Sequence, residues 1–203
     1  MSLFHLIVRK QGTLAAAIMI SAAIRLAAQS SSSEYPPTPY EDPGACPFEG
    51  CVYREWTAND AVDVRTDRDH GAPIAFRVAK GDKVNALTGV VITRIPGRVQ
   101  FRQEEDLSGT DGAFHIVPGE TLYMLTYHGE GFMKVWFKGR VYDNVNTMQF
   151  YNGVCDFDAS RCTGSILQRT ESEWWIQIRN AAGQVGWTDE PRKFDGTDAL
   201  AGR

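Results

Sequence analysis

Residues 173–187 read EWWIQIRNAAGQVGW. In an extended chain, Trp174, Ile176 and Ile178 share one face, and Trp175, Gln177 and Arg179 share the other. Asn180–Gly183 carries turn chemistry, and the chain returns as a second extended run, Gln184–Trp187. A period of two broken by a Gly-containing turn describes a hairpin, not a helix.

The same pattern recurs upstream. Ala61–Thr66 alternates with Val62 and Val64 on one face, and Ile74–Val78 alternates again. Lys80-Gly81-Asp82 turns the chain into Lys83–Ile95, a long β-branched run with Gly89 as an expected bulge or bend. Pro96-Gly97 leads into Arg98–Arg102, and Glu104-Glu105-Asp106 forms a polar boundary. Pro118-Gly119-Glu120 opens Thr121–Tyr127, and Gly129-Glu130-Gly131 opens Phe132–Tyr142. Thr147–Tyr151 is a candidate strand ended by Asn152-Gly153, a hairpin-type turn. Residues 154–170 read as an inserted loop. No run of ten or more residues past position 28 has a helical period. Short strands with frequent turns predict an all-β barrel or sandwich.

The N-terminus has a different character. Arg9 and Lys10 precede an apolar run, Gly12–Ile24, and Leu26-Ala27-Ala28 supplies a small-residue site. This is the pattern of a secretory signal. Thirteen helical residues would span about 20 Å, short of the roughly 30 Å of a bilayer core, so a membrane contact is expected only if the segment stays uncleaved. Residues 1–28 are assigned to the signal, and secretion or a periplasmic location follows. Its removal takes Arg9, Lys10 and Arg25 and no acid, so the net charge falls from −4 to −7. Such a balance argues against nucleic acid as a partner. Residues 29–45, QSSSSEYPPTPYEDPGA, have the composition of a disordered linker.

The 203-residue chain has four cysteines, Cys46, Cys51, Cys155 and Cys162. In an exported chain an even count points to disulfides. Three connectivities are open, and local closure as Cys46–Cys51 and Cys155–Cys162 is favoured. The spacings lack the tight knuckles of a zinc site. Asp156, Asp158 and Ser160 begin like a calcium loop, but Arg161 and Leu167 stand where its Gly and Glu belong. No metal and no cofactor are expected.

Val62-Asp63-Val64-Arg65, then Pro73–Val78, then Lys80-Gly81-Asp82-Lys83-Val84 resembles the opening of bacterial SH3-like domains, with Asp63 where that family usually has Asn. Gly119–Tyr123 is similar to the same turn. Glu173–Ile178 followed by Gly183–Trp187 resembles the family's closing tryptophan pattern. The first half lacks the closing pattern and the second lacks a clear opening one. Two SH3-like barrels, or one with a long insertion, both fit. The division adopted is 46–106 and 107–196, with a tail at 197–203.

The resemblance implies a binding module of the cell envelope, not a catalyst. Its expected partners are peptidoglycan or an envelope protein. Trp175, Trp136, Trp187 and Arg179 are the candidate ligand-binding residues, because an exposed aromatic ring can stack on a sugar or anchor a partner. His70, His115 and His128 are expected on the surface or in loops. No G-x-S-x-G elbow or His–metal spacing is present, so no catalytic residue is assigned. The alternatives are a small envelope hydrolase or metal-dependent enzyme without a legible motif, and a structural envelope subunit.

Overall fold

Val62, Val64, Phe76 and Val78 alternate with exposed residues on two short strands, and the buried side of each closes one core. The computed structural model describes residues 34–151 and 162–201. In chain order the strands are β1 (Tyr40–Pro43), β2 (Glu55–Ala58), β3 (Val62–Arg65), β4 (Ile74–Val78), β5 (Lys83–Ile95), β6 (Gly97–Phe101), β7 (Glu105–Gly109) and β8 (Gly112–Ile116). They continue as β9 (Thr121–Gly129), β10 (Phe132–Phe137), β11 (Arg140–Asn146), β12 (Gly164–Gln168), β13 (Glu171–Arg179), β14 (Val185–Thr188) and β15 (Phe194–Asp195). One four-residue helix, α1 (Met148–Tyr151), and a 3-10 turn at Pro191–Lys193 complete the described elements. The protein is all-β. No described helix is long and apolar enough to cross a membrane.

Eight strands form one curled antiparallel sheet in the order β15-β2-β5-β13-β14-β3-β4, with β1 added against β5. Its core holds Trp56, Val62, Val64, Val84, Ile176 and Ile178, all at 0–1% exposure. Each fully buried aliphatic side chain contributes about 1.5–3 kcal/mol. A five-stranded sheet, β11-β10-β9-β6-β12, has its own core around Val99, Phe101, Leu122, Val135 and Val145. The β7–β8 hairpin contributes Leu107, Phe114 and Ile116 to that second core.

The strands do not divide at residue 106. β7 spans that position, and the eight-stranded sheet draws β2–β5 from the first half and β13–β15 from the second. Ile95, the last residue of β5, pairs with Glu171, the first residue of β13. The chain therefore leaves this sheet and re-enters it at neighbouring points, and β6 and β9–β12 build the second sheet in between. Local strand patterns do not encode which distant strand will be the neighbour.

Five further expectations are corrected. Residues 34–45 are not a disordered linker throughout: Tyr40–Pro43 pair with Thr93–Val90, and Asp42 is buried. Thr147–Tyr151 is not a strand, because Met148–Tyr151 form α1. Phe132–Tyr142 is two strands joined by Lys138-Gly139, both at positive φ, the conformation a tight hairpin turn needs. The expected loop 154–170 contains β12, whose residues pair with β6. The tail also joins the fold in part, through a bridge between Cys51 and Asp198 and a hydrogen bond from the Ala199 amide to the Gly50 carbonyl.

Candidate functional site

The hairpin at 171–188 directs its two faces as alternation requires. Trp174, Ile176 and Ile178 pack against the inner core. Trp174 donates its indole N–H to the Tyr53 hydroxyl at 3.1 Å and meets the Phe48 and Trp56 rings edge-on. Trp175 points the other way, yet it is 0% exposed and lies with Val90 and Ile92 in a small cluster of its own. It is therefore not a ligand-contacting surface. The cause is the loop between β3 and β4, residues 66–73, which folds over this face. The His70 ring lies 5.1 Å from the Trp175 ring, and the Trp175 indole donates to Glu173 at 3.2 Å. Arg94 holds that carboxylate at 3.1 Å and keeps it below the usual carboxylate range.

Trp187 lies on the same outer face, partly buried against the Trp175 cluster. It pairs with Arg65 on one side and Gln177 on the other, so Ile74, Arg65, Trp187, Gln177 and Thr88 form a row across five strands. Arg179 lies two residues from Gln177 and pairs with Val185, which is 45% exposed. The Arg68 guanidinium sits 5.5 Å from the centre of the Trp187 ring and reaches Glu41 at 2.8 Å. Arg65 donates to the Ala72 carbonyl at 2.8 Å, which fixes the base of the loop. The face thus combines a flat aromatic ring with guanidinium and amide donors, the chemistry that stacks on and hydrogen-bonds a sugar or a peptide plane.

Trp136 belongs to a different surface, the outer face of the five-stranded sheet. There it forms a row with Arg98, Tyr123 and Val141. The exposed Tyr35 ring meets Tyr123 edge-on at 5.8 Å. The Trp136 indole N–H is buried without a hydrogen-bond partner. The structure thus brings Trp187 and Arg179 together and places Trp136 elsewhere.

Beside Trp136 lies a charge cluster centred on Lys134. Its ammonium is 2.7 Å from Asp42 and 3.7 Å from Asp143, and the His128 ring lies 3.5 Å and 3.2 Å from the same two carboxylates. Burial pushes the Asp42 carboxyl up, but the His128 and Lys134 side chains outweigh it and hold the group below the usual range. Burial pulls Lys134 down, and Asp42 more than restores it. The expectation of surface histidines holds for His115, which meets Asp106 near solvent. His128 instead sits between two acids, with 24% of its side chain exposed. No sequence spacing links residues 42, 128, 134 and 143. Only the pairing of β1 with β5 brings Asp42 into place.

Cys46 and Cys51 form a disulfide. Cys162 is disulfide-bonded, and Cys155 lies outside the described residues, as do Asp156, Asp158 and Ser160. Among the described residues no group of three His, Cys, Asp or Glu side chains is arranged to hold a metal ion.

No family model matches this sequence, and neither a curated protein nor a solved structure matches it.

Proposed function

We propose that the protein is an exported, non-catalytic binding module whose eight-stranded sheet is one SH3-like unit interrupted by residues 97–168. The pairing of Arg65 with Trp187 supports this reading. Arg65 ends the first strand of the family-like opening and Trp187 ends the closing motif, and both lie in one sheet. The ligand surface is the Trp187 face, with Arg179, Gln177 and Arg68 as its polar groups. Its ligand class is a cell-wall glycan or peptide, for which a ring flanked by planar donors is suited. The test is co-sedimentation of the chain from Gln29 onward with purified peptidoglycan sacculi. Wild type should pellet, and Trp187→Ala and Arg179→Ala should stay in the supernatant. If wild type does not pellet, the wall ligand is wrong.

One observation favours a second reading, a small envelope hydrolase: His128 lies between Asp42 and Asp143. Hydrolysis of labelled sacculi that disappears in His128→Ala would support that reading over the first.

A further inference from the structure

A cleft of about 320 Å³ opens where the two sheets meet. That volume lies within the roughly 300–1,000 Å³ range of small-molecule sites. Its walls come from both sheets: Val91 from β5, Met124 and Leu125 from β9, Met133 from β10 and Ile166 from β12. Gln168, Thr170 and Ser172 line its polar rim.

Irregular pairing surrounds this cleft. Met133 pairs with Tyr127 and Val135 with Met124, so Leu125 and Thr126 together oppose Lys134. That extra residue is a β-bulge, which bends a strand and re-aims its side chains. Here Lys134 reaches Asp42 while Leu125 lines the cleft. The Thr93 hydroxyl donates to the Leu125 carbonyl at 3.1 Å and holds the bulge. β12 shifts register between Ile166 and Gln168, and β13 shifts between Glu171 and Ser172, on the opposite rim. The Thr170 hydroxyl donates to the Met124 carbonyl at 3.3 Å and braces the mouth. Two methionines give the walls an adaptable, polarisable lining suited to aromatic guests.

We propose that this cleft binds a small amphiphile, with an aromatic or branched hydrocarbon body between the sheets and a hydrogen-bonding head at the Gln168–Ser172 rim. The inference is independent of the Trp187 surface, because the two share no residue.

The test uses the purified chain and the fluorescent probe N-phenyl-1-naphthylamine, with 1-anilinonaphthalene-8-sulfonate as the same aromatic body carrying an anionic head. Saturable binding of one probe per chain is expected, with a rise in Tm, because a ligand that binds the native state stabilises it. Ile166→Trp fills the cleft and should weaken binding by at least about tenfold, a change of about 1.4 kcal/mol. Leu167→Trp, on an exposed side chain of the same strand, should leave it unchanged. The sulfonate probe should bind more tightly than the neutral one if the rim recognises the head. Should Ile166→Trp lose its near-ultraviolet circular dichroism, Ser172→Trp at the exposed rim replaces it. Non-saturable fluorescence, a fall in Tm, or equal binding by the filled and control variants would overturn the proposal.

Discussion

Lys134 lies 2.7 Å from Asp42, and this contact fastens β1 of the eight-stranded sheet to β10 of the five-stranded one. Only 6% of the Asp42 side chain and 16% of the Lys134 side chain are exposed. Asp42→Ala leaves the ammonium without its main partner. The expected loss is about 2–3 kcal/mol in urea unfolding, below the roughly 3–5 kcal/mol of a fully buried pair. A double variant, Asp42→Ala with Lys134→Met, should recover part of it, because the orphaned charge is gone. With Lys134→Met alone as the remaining corner of the cycle, a double-variant loss equal to the sum of the two single losses would show that the pair is not coupled.

The same cluster sets a pH dependence. The Asp42 carboxyl is held below its ordinary value, so its contribution is present above the unfolded pKa and is lost as pH falls through the folded one. Stability should drop below about pH 4, and Asp42→Ala should flatten that part of the profile. Lys134 is shifted upward, so its contribution persists through neutral pH and is lost only at strongly alkaline pH. Thermal melts of both proteins at acid and neutral pH measure the difference.

Trp175 and Trp187 are separated by burial, and their variants should separate likewise. Trp175 has no exposed surface, so Trp175→Ala should cost about 3–5 kcal/mol, the range for removing a large core aromatic. Trp187 is only partly buried, beneath Arg68, so Trp187→Ala should cost less than Trp175→Ala while abolishing sacculus binding. Chemical denaturation gives the first comparison, and a Trp187→Ala loss as large as that of Trp175→Ala would make Trp187 a core residue.

Much of the local structure was legible in the residues. β4 and β5 start and stop where alternation and the Lys80–Asp82 turn put them, and the inner face of β13 is the one that Trp174, Ile176 and Ile178 define. What was not legible depends on distant chain. Nothing local distinguishes Trp175 as buried, because its cover comes from His70, about a hundred residues earlier in the chain. β1 was hidden by a composition of proline, serine and acid, since its order derives from ladder bonds to β5 and from Asp42 meeting Lys134. The β7–β8 hairpin was hidden inside a charged stretch, where Leu107, Phe114 and Ile116 alone face the core. Alternation specifies faces, and only topology specifies neighbours.

The Cys46–Cys51 disulfide closes a short loop, and short loops restrict the unfolded chain little. The segment has other anchors: the Gly44 amide donates to Gly89 at 2.7 Å, Tyr53 donates to the Ala45 carbonyl, and the Val52 amide donates to Thr197 at 3.0 Å. A Cys46→Ala, Cys51→Ala variant should therefore remain folded. Its loss should stay below about 3 kcal/mol, the value for a loop of fifteen residues. Unfolding of this variant at room temperature, read by circular dichroism, would assign the bridge a larger role.

Gly89 was expected to mark a bulge or bend; it pairs with Ile176 itself, and the register of β5 against β13 shifts just before it, between Ala86 and Thr88. Its role is one of close approach. A Cβ at this position would lie 2.2 Å from the Tyr53 hydroxyl and 2.4 Å from the Trp174 indole nitrogen, the two atoms that hydrogen-bond each other over the strand. Neither ring can retreat freely, because Tyr53 also packs on Trp56 and Trp174 packs on Phe48. Gly89→Ala should therefore break the Tyr53–Trp174 bond and cost about 1–3 kcal/mol, the range for overpacking a core. The measurement is tryptophan emission together with urea unfolding. A shifted emission with lowered stability is expected, and a variant with wild-type emission and stability would show that the rings can move apart without loss.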